Sequence, residues 1–481
     1  ARLFFTDALA RIARRPMWQP SWTTIDELMS EISGLRTGDR LRLITELYGI
    51  YSEYHAEPFD KFYFWGDMLL ADFDTIDKYR IDAAMLFRNI EEIREIEADI
   101  SYLTPAQLRI VAFWSSLGAE ADLSEEKRRF LAIWRTLGPV YRRFRERLSE
   151  LGIAYGGMVQ RAAADRLRSG EFAFSTPRRF VVAGFNALSE CEKELFRFLS
   201  SAAETDFYWD YDSYYKDDPE QEAGMFVREN VVRFPPRAEL SHDGMSRPKE
   251  LTSVAAVSNA VQCKYVATIL RGLAAGGRLG KETAVVLTDE NLLLPLEVGP
   301  VNVTMGYPLR ASLAYTFVER LVELQARRRT KGADCTFYHA DVTGLLAHPY
   351  VAGCDAELTR RLQEEIMRER RISVEASWLG RNDLLRLVFS PAAGWRALSA
   401  WLSEVVAAVV RIPCPDDDAR RRTEFLAVIA GEIARLGNSL DECGIEPAPE
   451  VYASLLRRHL QTLRIPYEGE PLEGVQVMGI L

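Results

Sequence analysis

In DRLRLITELYGIYSEY, residues 39–54, the apolar positions Leu41, Leu43, Ile44, Leu47, Tyr48 and Tyr51 recur with a helical period and leave the charged positions on the opposite side. Almost every window from about Asp39 to Gly157 repeats that spacing, so residues 35–157 are predicted to be a helical block. The block includes the aromatic and carboxylate-rich FDKFYFWGDMLLADFDTIDKY and the strongly charged YRRFRERLSELG. Upstream, residues 1–34 read as a strand and a helix. In TTIDELMSEISG, Thr24 and Glu27 have the spacing of a capping box, in which each residue satisfies the other's backbone N–H.

The pattern then changes. In RFVVAGFNALSECEKELFRFL, a short β-branched run at Phe180–Val182 passes through Gly184 into a segment opened by Ser189 and Glu192, a second capping box. In ETDFYWDYDSYY, strict alternation puts Phe207, Trp209 and Tyr211 on one face and Tyr208, Asp210 and Asp212 on the other. Strand, helix, strand at this spacing predicts a parallel α/β layer. RFPPRAELSHDGMSRPKE is polar and proline-bearing and reads as a linker. LTSVAAVS, a helix from about Ala260 to Leu273, ETAVVLTDENLLLPL and VNVTMGYPL then predict a second α/β unit. Residues 331–459 return to mostly helical spacing, and the chain closes on the apolar, β-rich GVQVMGIL.

Composition narrows the class. A chain of 481 residues exceeds one core and implies two to four domains. With 48% hydrophobic and 27% charged residues, the balance is that of a globular protein and not of a disordered chain. No segment reaches the roughly 18 consecutive apolar residues of a bilayer span. The six cysteines form no CxxC pair, so the reading is reduced thiols in the cytoplasm, without a zinc site or disulfide framework. Five scattered histidines include no HExxH. The net charge of -10 argues against a uniformly basic coat, although a local basic channel is compatible with it because screening confines each charge. The first residues, ARLFFTDALARIARR, carry neither an initiator Met nor a secretory pattern, so the sequence is expected to begin inside a longer protein.

Candidate chemistry is sparse. AGGRLGKE, Ala275–Glu282, fails as a phosphate-binding loop: Ala275 replaces the first glycine, Glu282 replaces the hydroxyl, and the stretch precedes a strand where such a loop follows one. In nucleotide-driven motors the end of a strand like Phe180–Val182 carries a carboxylate for magnesium and water. Here Ala183, Gly184 and Phe185 occupy that place. Asp210 and Asp212, and Asp72, Asp74 and Asp77, read as solvated carboxylates and not as a metal or acid/base set. Arginines cluster at Arg142, Arg143, Arg145 and Arg147, at Arg327, Arg328 and Arg329, at Arg368–Arg371 and at Arg420–Arg422. Guanidinium forks suit phosphates, while nearby Glu and Asp offer the alternative of solvated helix faces.

The order of segments, together with VVLTDENLLLPL, NVTMGYPLRASLAYTFVERLVEL, DVTGLLAHPY and IPYEGEPLEGVQVMGIL, resembles the helicase-derived part of AddB-type subunits of bacterial helicase-nuclease complexes, within the Bacteroidetes-type PD-(D/E)XK nuclease proteins. The resemblance covers nearly the whole chain. It implies an α/β fold of two RecA-like, P-loop-type domains of the UvrD/Rep-like superfamily 1 helicase kind, each with a mostly helical insertion. Residues 1–34 and 158–245 would form the first domain, 35–157 its insertion, 251–330 and 460–481 the second domain, and 331–459 its insertion.

By the same resemblance the core lacks a catalytic site, a metal and a cofactor of its own, and acts in DNA double-strand-break processing and recombinational repair. Its intact parent would be a DNA exonuclease through a C-terminal PD-(D/E)XK domain beyond Leu481. Partners would be DNA, as a duplex end or single strand, and an AddA-type ATP-driven helicase-nuclease subunit. Asn302, Thr304, Gly306, Tyr307 and Pro308 would shape an interdomain cleft, where Gly306 can adopt a turn closed to other residues; a purely structural turn is the equal alternative. Arg142, Arg143, Arg145, Arg327 and Arg328 are candidate contacts to the DNA backbone. The junction at residues 296–301 is shorter than the family pattern, so residues are expected to be missing there. Two other readings stand beside this one: an active ATP-dependent helicase with its P-loop upstream of Ala1, and a scaffold that binds no nucleic acid.

Overall fold

A computed structural model describes residues 2–13, 16–89, 125–238, 240–293, 301–331, 334–413, 416–466 and 474–480. The middle of the predicted helical block, 90–124, the short junction before Val301 and the stretch 467–473 lie outside the described residues. The architecture is mixed helix and sheet, with long helices around small sheets. The chain divides into two compact units, Thr23–Leu251, and Ala1–Trp22 with Thr252–Leu481.

In the unit Thr23–Leu251 the local signals act as physical chemistry requires. Thr24 Oγ1 accepts from the Glu27 N–H at 3.2 Å, and the Thr24 N–H donates to Glu27 Oε2 at 2.8 Å, which starts the helix Ile25–Ser33. Asp39 caps the helix Arg40–Tyr51, whose stripe buries Leu41, Leu43, Ile44, Leu47 and Tyr51. That stripe packs on Phe59–Lys78, with the Tyr51 and Phe62 rings 4.8 Å apart. Helix Ala83–Asn89 adds Phe87, and Glu125–Leu151 adds Tyr141 and Phe144, around the buried Phe73. The two-residue strands Arg36–Thr37 and Ile153–Ala154 pair in parallel, and Gly156–Ser169 follows as a helix.

The α/β layer of this unit is built on Arg179–Ala183, which pairs in parallel with Glu204–Tyr208 in the register Arg179↔Glu204 to Ala183↔Tyr208. Helix Glu190–Ala202 crosses between them from its Ser189/Glu192 capping box. After a break at Trp209, Asp210–Asp212 pairs in parallel with Leu240–His242, and a bridge joins Phe207 to Pro236. Phe207, Trp209 and Tyr211 are all buried, and the Phe207 and Trp209 rings stack at 6.0 Å. The alternation therefore sets the buried face. The linker expectation fails for Leu240–His242, which supplies the next parallel strand. Its cause is non-local: Leu-Ser-His is too short and polar to announce a strand, and it becomes one because Asp210–Asp212 offers an open edge.

The other unit opens on a helix, Arg2–Ile12, and not on the expected strand. Arg11 and Asp7, four residues apart, pair at 3.0 Å and support that helix. Ser258 caps Asn259–Ala275, which lies against a parallel sheet of Ala284–Leu287, Val475–Gly479 and Val301–Val303, with Val475–Gly479 in the middle. Cys263, Leu287, Leu293, Met305 and Val477 form the shared core. Between the outer and central strands of this sheet the chain makes a long excursion: helix Leu313–Ala326, an antiparallel sheet of Arg329–Lys331, Asp334–Tyr338 and Ser373–Glu375, and helices Ala356–Arg368, Trp395–Val410, Asp416–Glu442 and Pro449–Thr462. It returns through Arg464–Ile465, which pairs antiparallel with Tyr307–Pro308. LTSVAAVS contributes no strand: Leu251 and Val257 are exposed and no described segment pairs with them.

Candidate functional site

Arg179–Ala183 ends on Gly184, whose φ of 84° only glycine adopts at low cost. The next residue, Phe185, turns its ring onto Phe196 at 5.5 Å, so the chain leaves the strand by way of an apolar anchor. Asn186 then lends its carbonyl to Asn230 Nδ2 at 2.6 Å. Ala183, Gly184 and Phe185 thus supply no oxygen side chain at the strand end. One strand over, Asp206 is held by Arg237 and Arg179 at 2.8 Å each, and these guanidiniums keep its carboxyl below the usual range.

AGGRLGKE lies where a helix ends. Gly276 closes Asn259–Ala275, Gly277 has φ 65°, and the chain enters Ala284–Leu287. Among the aspartates, Asp77 is fully buried and accepts from Tyr141 at 2.5 Å, Arg161 at 3.1 Å, Arg145 at 3.2 Å and Tyr155. It is therefore a buried ionic knot and not the solvated carboxylate the sequence suggests. Asp74 caps the Gly157 N–H and pairs with Lys78, Asp212 accepts from the Tyr214 and Met245 N–H groups, Asp210 meets His242, and Asp72 is exposed. Among the described residues no group of three or more His, Cys, Asp or Glu is placed to hold a metal ion.

The arginine clusters separate by partner. Arg145 belongs to the Asp77 knot, Arg143 pairs with Glu53 at 2.6 Å, and Arg147 with Glu46 at 3.1 Å. Arg142 is exposed and makes no ion pair among the described residues. Arg327 pairs with Asp341 at 2.9 Å, whereas Arg328 donates to Gln325 Oε1 and to the Ala392 carbonyl, both inside the helical part. Arg368 and Arg371 share Glu369, and Arg371 lies over Trp378 at 4.6 Å. Arg422 is buried and donates to the Ile412 carbonyl, while Arg421 beside it is exposed.

The second candidate group is a continuous structure at the carboxyl ends of parallel strands, the place where open α/β sheets bind ligands. Asn302 donates to Gln476 Oε1 at 2.6 Å, and the Thr304 N–H donates to the Val477 carbonyl at 2.9 Å. Gly306 is not in the left-handed region, which corrects the turn expectation. Its requirement is closeness: a Cβ there would stand 2.7 Å from Arg464 Cβ. Tyr307 and Pro308 pair with Ile465 and Arg464. Burial raises the Tyr307 phenol above its usual range, and the nearby Arg421 charge opposes that shift. The Tyr307 ring lies 5.2 Å from Phe425. The fold therefore brings NVTMGYPL to the Arg420–Arg422 segment, two stretches the sequence offers no reason to join.

Further residues complete this edge, none of them singled out individually by the sequence. Arg464 pairs with Glu290, Arg310 donates to Asn291 Oδ1 at 3.1 Å, and Gly479 lies against Glu290. Phe425 is an ordinary helix position until Tyr307 reaches it. What these features define is a mixed helix-and-sheet protein with a basic and aromatic edge beside a small parallel sheet. Compared with protein-family models and with curated proteins, the chain gives no match. Among the described residues no helix is long and apolar enough to cross a membrane.

Proposed function

We propose that the chain is the helicase-like, non-hydrolysing core of an AddB-type subunit, which holds and guides DNA in the cytoplasm while an AddA-type motor partner consumes ATP. The reading comes from the ordered motifs given above. The observation that carries it is the seating of Val475–Gly479 between Ala284–Leu287 and Val301–Val303 after a largely helical excursion. That is the layout expected of a RecA-like domain with an inserted helical domain. The Ala183-Gly184-Phe185 strand end favours a passive core over a motor, because phosphoryl transfer needs a hard oxygen ligand for magnesium.

Binding of the whole chain to blunt duplex and to single strands, followed over a salt series, tests the proposal. Phosphate contacts release counterions, so log affinity should fall linearly with log salt. ATP turnover should stay at background with and without DNA. Absence of DNA binding at low salt would leave the scaffold reading, and DNA-stimulated turnover would leave the active helicase.

A further inference from the structure

The carboxyl edge of the parallel sheet carries a combination of groups that the reading above does not itself assign. Tyr307 and Phe425 are both half-buried, with ring centroids 5.2 Å apart and planes tilted by 37°. Arg421 is exposed and precedes Phe425 by four residues in Asp416–Glu442, so the two share a helix face. Arg310 follows Tyr307 by three residues in the turn Leu309–Ala311, is exposed, and has Asn291 as its hydrogen-bond partner. Among the described residues neither Arg310 nor Arg421 makes an ion pair, unlike Arg143, Arg145, Arg147 and Arg327. Among the described residues the acidic groups nearest this edge are Asp289, Glu290 and, beside Phe425 on its helix, Glu424. Glu290 is paired with Arg464, and Asp289 accepts from the Asn291 amide.

We infer that Tyr307, Phe425, Arg310 and Arg421 form a seat for single-stranded DNA, in which a base stacks on the aromatic pair and the flanking phosphates meet the two guanidiniums. The inference rests on the DNA-handling reading above and adds the strand state and the site. Single strands are favoured because an unstacked base offers a π-face to an aromatic ring, whereas a duplex presents only its backbone. Exposed arginines that make no ion pair among the described residues supply phosphate contacts without first breaking one. The place agrees with the rule that open α/β sheets bind ligands beyond the carboxyl ends of their strands.

Fluorescence anisotropy with an oligothymidylate and a blunt duplex tests the seat. Tyr307→Ala should weaken single-strand binding about tenfold, the size expected for one lost base–aromatic stack. Tyr307→Phe should retain it. Arg310→Ala combined with Arg421→Ala should weaken single-strand binding and lower the salt slope by about two contacts. Duplex affinity should change little in all three. Unchanged single-strand affinity in folded Tyr307→Ala and in the arginine pair, with the parent chain binding well, overturns the seat and leaves the DNA reading intact. Failure of the parent chain to bind any DNA removes that reading as well. Photocrosslinking of the unaltered chain to a 5-iodouracil oligonucleotide covers the case of a misfolded variant: adducts on Tyr307 or Phe425 support the seat, and adducts confined to other segments overturn it.

Discussion

Asn302 donates its side-chain amide to Gln476 Oε1 at 2.6 Å, although 174 positions separate the two residues. Both are buried on neighbouring parallel strands, and Gln476 stands opposite Asn302 in the register. A buried amide left without its partner costs about 1–3 kcal/mol. Asn302→Ala and Gln476→Ala should each destabilise the chain by that amount in urea unfolding. The double variant should fall short of the sum, because the second loss removes an already orphaned group. Strict additivity would show that the two amides do not interact.

Asp77 gives the larger effect. Its carboxylate is the only acid among the described residues that Arg145 and Arg161 share, and two tyrosine hydroxyls also depend on it. Asp77→Ala leaves two half-buried guanidiniums unbalanced, for which the expected loss is roughly 3–5 kcal/mol. Asp77→Asn keeps the acceptor oxygen and should lose clearly less. Chemical denaturation of the two variants checks the order. Arg145→Ala should likewise lower stability more than it lowers DNA affinity, whereas Arg142→Ala should leave stability nearly unchanged.

What could be read from the sequence was whatever short-range chemistry decides. Thr24 with Glu27, and Ser189 with Glu192, specify their helix starts through groups three residues apart, and both boxes are formed. Phe207, Trp209 and Tyr211 needed only a period of two to find the core. Non-local pairing stayed hidden. Nothing in Leu240–His242 marks a strand until Asp210–Asp212 offers it an edge, and nothing in Phe425 marks a site until Tyr307 packs on it. Arginine spacing suggested phosphate contacts for Arg145, and nothing near it in sequence announced its pairing with the buried Asp77.

Gly306 makes a separate test of the Tyr307 edge. A methyl group there would meet Arg464 Cβ at 2.7 Å and the Ile465 carbonyl at 3.2 Å, so the strand pair must part. Gly306→Ala should cost on the order of 1–3 kcal/mol, as overpacking does. The damage should be local. Hydrogen exchange of the Leu309 amide, which donates to the Leu463 carbonyl at 2.9 Å, should quicken, while amides of Arg179–Ala183 keep their protection. Unaltered exchange at Leu309 would mean that the contact gives way without opening the pair.

His348 supplies a pH dependence whose sign follows from its surroundings. It is 6% exposed, Nδ1 accepts from the Tyr350 N–H at 3.2 Å as the cap of Pro349–Ala352, and Nε2 lies 3.4 Å from Thr316 Oγ1. Phe317 and Tyr350 pack against the ring. Burial, with the Arg320 charge second, lowers its pKa from 6.5 to about 4. An acceptor Nδ1 must be unprotonated, so the cap and the neutral ring stand or fall together. The unfolded chain takes up the proton first as pH falls, so the contribution of His348 is complete above pH 6.5 and is lost progressively toward about pH 4. Over that window the loss amounts to at most about 3 kcal/mol. His348→Asn keeps a capping oxygen and cannot titrate. Its stability should therefore fall less steeply than that of the parent chain between pH 6.5 and 4, with the two curves parallel above pH 7. Equal slopes across the acid window, or an imidazole NMR titration midpoint near the ordinary histidine value, would rule out a buried neutral cap.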